Sequence, residues 1–270
     1  MRAATGTRMR AGRFLLAAVL LLPAAAMAAE STYPMEPMKP NLQDLPSLQN
    51  GFRLYANYCI GCHSLKFQRY ERTADDLEIP HDIALETLVF TGQKIGEQML
   101  SAMDPEAAKN WFGAPPPDLT LVARVRSPAW IYNYLKTFYV DDLRPLGVNN
   151  LVFPNVGMPH VLMNLQGVQR LGCVEAPKMA DGGGEMRDPL QPDKAITEEK
   201  CGQLVLDEGT GAYTPEQYDQ AVYDISNFLY YVGDPSRLER HRIGVYVLLF
   251  LVILYVFTWL LGREYHKAVR

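Results

Sequence analysis

Cysteine, histidine and tryptophan are scarce in this chain, at four, five and three of 270 residues. The cysteines form one close pair, Cys59 and Cys62; Cys173 and Cys201 stand far apart. A zinc site built from two C-x₂-C pairs is therefore excluded. Positive charge is also in deficit, with 26 Lys and Arg against 30 Asp and Glu. Phosphate backbones are bound mainly through cations, so nucleic acid is not a partner. No segment repeats another, and strands are few at best, which leaves helices to build the fold.

The acidity is concentrated. Residues 29–236 hold 28 acidic and 16 basic side chains, a net of −12. A field of one sign attracts a basic soluble partner and speeds its encounter. The same acidity also serves solubility, and charge alone does not separate the two.

Long apolar runs occur only at the two ends. Residues 1–28 begin with Arg2, Arg8, Arg10 and Arg13, continue through the apolar stretch Phe14–Leu22, and close on Ala26-Met27-Ala28. This is the pattern of a secretory signal peptide, with an apolar core too short to span a bilayer. The alternative is an anchor that is never cleaved. Ile243–Gly262 is a second run, twenty residues without a charge. At about 1.5 Å per residue it covers roughly 30 Å, the thickness of a bilayer core. Trp259 and Tyr265 lie near one end, where amphipathic rings favour the interface. A buried core helix would carry a polar face, so a transmembrane anchor is expected over 243–262, with 263–270 as a cytoplasmic tail. Arg237, Arg240 and Arg242 before the run balance Arg263, Lys267 and Arg270 after it. Positive-inside counting is thus nearly tied. Orientation follows from the signal peptide, which puts residues 29–240 outside the membrane.

Several elements can be read between these ends. Leu48, Phe52, Tyr55 and Cys59 recur at helical spacing, so the first cysteine closes an amphipathic helix. Residues 83–103 predict one or two short helices, interrupted by Gly92 and Gly96. Pro115-Pro116-Pro117 predicts a rigid extended stretch. Residues 128–139 predict a helix opening on Pro128. Residues 143–160, punctuated by proline and glycine, predict an irregular loop, and 174–212 a surface insertion. Thr214, Pro215 and Gln217 form a capping box, followed by an apolar stripe of Tyr218, Val222, Ile225, Leu229 and Val232. Gly233-Asp234-Pro235 ends that helix.

The chemistry lies in Cys59-Ile60-Gly61-Cys62-His63, a C-x-x-C-H motif. Two thiols on a tight turn can each add to one vinyl group of a haem, and the next residue offers an imidazole to the iron. A thioredoxin-like motif would need a βαβ setting and carries no histidine directly after it. One motif means one covalent haem c. If the protein only carries electrons, the iron needs a sixth ligand; a vacant position would permit peroxidase or gas-binding chemistry. Met158 suits best, since Gly157 permits a turn and Pro159 extends the backbone. Met163, Met179, Met186 and His160 are the alternatives. In an exported chain Cys173 and Cys201 are expected to form a disulfide closing the insertion, worth roughly 3–4 kcal/mol in the chain-entropy model. The alternative is two buried thiols.

These features together resemble the cytochrome c1 family, the haem subunits of the cytochrome bc1 complex (ubiquinol–cytochrome c reductase). The resemblance rests on Gly51-Phe52-Arg53-Leu54-Tyr55 leading into Cys59–His63, and on Pro116-Pro117-Asp118-Leu119-Thr120 followed by Arg124 and Arg126. Gly157-Met158-Pro159 and the C-terminal anchor complete it. It implies a mostly α fold: a c-type cytochrome domain with insertions plus one C-terminal transmembrane helix. It implies His63 and Met158 as axial iron ligands, Arg126 near a haem propionate and Pro117 packed against the haem. A solvated surface role for Arg126 is the alternative. The implied function is one-electron transfer in a respiratory chain, from the Rieske iron–sulfur protein to a soluble or membrane-bound cytochrome c, beside cytochrome b in a dimeric complex. The chain itself would be no enzyme. The implied location is a bacterial cytoplasmic membrane, with the haem domain on the periplasmic side. Rival readings are the cytochrome c subunit of another oxidase or dehydrogenase complex, and a haem peroxidase.

Overall fold

Helix α1 (Leu45–Tyr58) begins where Asp44 accepts the amide of Ser47 at 3.2 Å, with Pro46 in the first turn. An acceptor at the cap and a proline with no amide to lose both favour a start here. The computed structural model describes residues 33–179 and 184–268. The signal peptide expected over 1–28 lies outside the described residues.

After α1 come strand β1 (Leu65–Arg69), helices α2 (Tyr70–Asp76) and α3 (His81–Leu88), and strand β2 (Gln98–Met99). Helices α4 (Pro105–Phe112), α5 (Val122–Val125) and α6 (Pro128–Lys136) lead to strands β3 (Phe138–Val140) and β4 (Val148–Asn150). Helix α7 (Met163–Gln166) precedes strands β5 (Gln169–Pro177), β6 (Arg187–Asp188), β7 (Gln191–Ala195) and β8 (Thr197–Leu206). Helices α8 (Pro215–Gly233) and α9 (Arg237–Ala268) close the chain. The fold is mostly α, and its core is the meeting of α1 and α6 with α8.

The capping box predicted for α8 is formed, Thr214 and Gln217 each accepting the other's amide. All five residues of the predicted stripe are buried. Helix α1 crosses α8 at Gly51. Phe52 stacks on Phe228 with ring centres 5.3 Å apart, and Tyr55 tilts against the same ring at 5.8 Å. Asp224, 3% exposed, ties the crossing together. Its carboxylate accepts Ser47 Oγ at 2.6 Å, Asn50 Nδ2 at 2.6 Å and Gln220 Nε2 at 2.8 Å. Helix α6 joins through Tyr218, whose hydroxyl donates to Leu135 O at 2.8 Å, and through Lys136, which reaches Asp219 and Glu36 at 2.7 Å each. The lead-in before α1 is pinned by two buried asparagines. Asn133 and Asn227 each exchange a pair of hydrogen bonds with the backbone, at Glu36 and Asn41 respectively.

The structure corrects several local expectations. Residues 83–103 hold the end of one helix; the rest is loop, and Gln98–Met99 pairs antiparallel with β1. Gly92 sits at φ +73°, a left-handed conformation that no helix continues through. The helix expected over 128–139 ends at Lys136, and Phe138 and Tyr139 turn into β3 opposite β4. Strands are more frequent than the apolar pattern suggested: among the described residues they form four antiparallel two-stranded pieces. Most are too short for alternation to register. The longest pair, β5 with β8, is exposed along much of both faces, so it carries little hydrophobic period. This ribbon forms much of the expected surface insertion, and Cys173 and Cys201 are disulfide-bonded across it. Helix α9 continues beyond 243–262 at both ends. Within it, Glu239–Lys267 is long and apolar enough to cross a membrane, and none of it is buried.

A methyl group at Gly51 would lie 2.1 Å from Asp224 O and 2.6 Å from Phe228 Cβ. Gly51→Ala must push α1 from α8, and overpacking of this kind costs about 1–3 kcal/mol. Thermal melting of the purified protein is expected to fall by several degrees. An unchanged melting temperature would contradict the close crossing.

Candidate functional site

The final turn of α1 winds directly into the cysteine motif. Tyr55 O accepts the amides of Cys59 at 2.9 Å and Ile60 at 3.1 Å; Cys59 O accepts those of Cys62 at 3.0 Å and His63 at 2.8 Å. This tight winding puts Cys59, Cys62 and His63 on one wall of a cavity of about 700 Å³. Pro117, Arg126 and Met158 line the same cavity. The volume lies within the range of about 300–1,000 Å³ usual for ligand and cofactor sites.

Burial governs the thiols. It pushes Cys59 up to about 12, with Cys62 adding to the effect, and it raises Cys62 as well. Cys59 is partly buried and lines the cavity. Both thiols are free of a disulfide.

His63 is 8% exposed. Desolvation lowers its pKa, partly offset by Pro117 and Asp118. The imidazole is therefore held neutral, as a metal ligand must be. Its Nδ1 lies 2.7 Å from Pro117 O. A carbonyl only accepts, so Nδ1 carries the proton and Nε2 is left with a free lone pair. Pro117 thus has a second role beyond packing at the cavity wall. Tyr55 supports the same residue from behind, donating its hydroxyl to His63 O at 2.6 Å.

The whole Pro117–Thr120 segment docks onto the chain following His63. Asp118 accepts the amides of Lys66 at 2.8 Å and Thr120 at 3.0 Å. Leu119 N donates to Ser64 O at 3.0 Å. Asp118 acts through its side chain and Pro117, Leu119 and Thr120 through backbone groups, and together these contacts fix the carbonyl facing His63.

The opposite loop carries Met158. Tyr134 donates its hydroxyl to Met158 Sδ at 3.3 Å. The loop is held by two buried asparagines. Asn150 Oδ1 accepts the amides of Val152 at 2.9 Å and Phe153 at 3.0 Å, while its Nδ2 donates to Tyr134 O at 2.7 Å. Asn149 Oδ1 accepts the amide of Asn155 at 2.8 Å. The left-handed turn lies at Asn155, φ +63°, rather than at Gly157. Gly157 serves another purpose: a Cβ there would crowd Phe112 O at 3.3 Å.

Among the five ligand candidates, only Met158 lines the cavity. His160 stacks on Phe138 at 4.9 Å, and its Nε2 is 2.7 Å from Gln166 Oε1. Met163 packs, as Met158 also does, against the small core of Phe138, Val148 and Val156, but it does not line the cavity. Met179 and Met186 are exposed beside the ribbon. Arg126 is exposed at the cavity, its guanidinium 5.3 Å from the centre of the Trp130 ring. Sequence reasoning missed Tyr55, Tyr134, Asn149 and Asn150. Tyr134 follows Trp130 by one helical turn on a helix already predicted, which was the available signal. The asparagines gave none.

This donor set fits a haem: two thiols on a turn, an imidazole with one free nitrogen, a thioether and a largely apolar wall. Comparison with known proteins agrees. A family profile described as "Cytochrome C1 family" matches residues 39–269. A cytochrome c1 of Allochromatium vinosum is 46% identical over 258 residues, covering 95% of this chain and 99% of the relative. A protein of Nitrosomonas europaea named ammonia monooxygenase gamma subunit is 36% identical, covering 97% of this chain and all of the relative. A cytochrome b/c1 of Bradyrhizobium diazoefficiens is 25% identical, matched over 78% of this chain and 31% of its own length. With cavity, motif and full-length similarity in agreement, the chain belongs to the cytochrome c1 family: membrane-anchored electron-transfer subunits that carry one covalently bound haem c.

Proposed function

We propose that this chain accepts one electron from a Rieske iron–sulfur protein and passes it to a cytochrome c, within a dimeric bc1 complex that also contains cytochrome b. The observation that carries this reading is that His63 and Met158 line one cavity with the cysteine pair. When bound there, haem supplies a one-electron Fe(III)/Fe(II) couple. Cys59 and Cys62 would anchor it through thioethers. His63 Nε2 and Met158 Sδ would both ligate its iron, leaving no place for substrate. The chain is then a carrier and not an enzyme on its own. Arg126 would neutralise a propionate, and Pro117 would hold the imidazole and pack beside the ring. The similarity to a protein named cytochrome b/c1 supports cytochrome b as a neighbour.

The proposed arrangement has residues 1–28 as a signal peptide and 29–240 as a periplasmic haem domain. The anchor covers 243–262 within α9, and 263–270 form a cytoplasmic tail. The acidic surface suits a basic acceptor. The name of the Nitrosomonas relative belongs to that protein; oxygen chemistry at this haem would need an open iron position.

Met158→Leu distinguishes the two. Colour is expected to stay with the polypeptide after acid–acetone extraction, because Cys59 and Cys62 still hold the haem. The midpoint potential is expected to fall by about 100 mV or more, above about 2 kcal/mol for one electron, and the ferrous mutant to bind carbon monoxide. A native potential with no carbon monoxide binding would remove Met158 as ligand. Carbon monoxide binding by the unaltered protein would favour an enzyme.

A second test addresses the anchor. Truncation after Arg240 is expected to release a soluble, redox-active domain on the exporting side. Retention in the membrane fraction would refute the assignment.

A further inference from the structure

Four aromatic or cationic side chains recur every fourth residue along one side of α6 and its flanks: Arg126, Trp130, Tyr134 and Phe138. Helical spacing puts Trp130 and Tyr134 on one face of α6, and Arg126 and Phe138 extend the contact from its flanks. The Arg126 guanidinium lies over Trp130, Trp130 stacks on Tyr134 at 4.9 Å and 11°, and Tyr134 meets Phe138 edge-on at 5.1 Å and 74°. Asn150 Nδ2 donates to Tyr134 O and so holds its backbone. Ring and backbone are thus both fixed, and the hydroxyl points at Met158 Sδ, 3.3 Å away.

We infer that Tyr134 is a positioning residue for the sixth iron ligand, its hydroxyl fixing the Met158 sulfur and setting how strongly that sulfur donates. This rests on Met158 being the ligand. Methionine has three rotatable bonds, so the backbone alone leaves its sulfur free to sample several places. A thioether sulfur has two lone pairs. One can serve iron while the other accepts the phenol, a weak acceptor paired with an ordinary donor. The phenol withdraws density from the sulfur. A poorer donor supports ferric iron less than ferrous iron, so the hydrogen bond raises the potential. Its removal must lower it.

The variant is Tyr134→Phe, which keeps the ring and its stacking and deletes only the hydroxyl. Measured on the purified holoprotein, the one-electron equilibrium is expected to shift three- to tenfold toward the oxidised form. Tenfold is 59 mV for one electron. The weak far-red absorption of a sulfur–Fe(III) bond should persist but move. Tyr218→Phe serves as the comparison: it deletes another buried hydroxyl, donated to Leu135 O of α6 by a residue that does not line the cavity, so it should lower the melting temperature and leave the potential within experimental error. An unchanged potential and an unchanged far-red band in Tyr134→Phe would overturn the inference while leaving Met158 in place. Equal potential shifts in both variants would also overturn it, since packing would then be the cause. Absence of the far-red band from the unaltered ferric protein would overturn Met158 as ligand, and Tyr134 with it.

Discussion

The cysteine motif is useful only if the helix that ends in it is held at a fixed angle, and a buried carboxylate holds it. Asp224 lies inside the α1–α8 crossing with donors from Ser47, Asn50 and Gln220 around it. A charge in such a place is costly unless all its acceptor positions are occupied. Two of its three side-chain donors come from α1, so that helix cannot slide or rotate without leaving an unpaired ion behind. Phe52 and Phe228 could stack in more than one register; the carboxylate selects one. Tyr55 lies two turns beyond Ser47 on the same helix. Its ring contacts Phe228 and its hydroxyl reaches His63, so the geometry set at Asp224 is passed to the imidazole.

The legibility of the site divides along the same line. The half containing Cys59, Cys62 and His63 is local. Its chemistry needs contiguous residues at fixed spacing, and one helical turn positions all three, so the motif could be read directly. The companion segment Pro117–Thr120 was visible as a pattern, but the reason for it was not. Nothing in P-P-D-L-T says that a carbonyl will face a histidine ring 54 residues earlier. The Met158 half was legible only as far as the proline after it. The turn was placed on Gly157 because glycine tolerates positive φ, yet Asn155 adopts that conformation and Gly157 makes room for a carbonyl. Both uses of glycine leave the same trace in sequence. Asn149 and Asn150 read as ordinary loop residues because the partners that fix the loop are backbone groups, which have no sequence signature.

The secondary structure shows a similar division. Helices with caps and apolar stripes, α1 and α8 above all, were readable because two independent signals coincide in each. The strands were not, and β1–β2 is the clearest case. It pairs residues across about thirty positions through a register irregularity, with two residues on one side. No periodicity exists in two residues. The β5–β8 ribbon was missed for the opposite reason. It is long enough to show a pattern, but little of it packs against the core, so the apolar half of the pattern is absent.

The two walls of the cavity therefore differ in how they are made, and this bears on what an electron carrier must do. Its environment must change little when the charge on the iron changes, because every group that moves adds to the barrier. The His63 wall achieves this with short-range backbone winding and one carbonyl. The Met158 wall has an irregular backbone with no ladder of its own. It borrows rigidity from helix α6: Tyr134 contributes its hydroxyl to the sulfur and its carbonyl to Asn150, and Asn150 returns two hydrogen bonds to the loop. Sulfur and loop are thus held by the same residue of the same helix. A displacement of α6 would carry both together, so the thioether keeps its place relative to its own backbone even when the wall as a whole shifts. Local winding could not provide that for a loop, and the buried asparagines supply it instead.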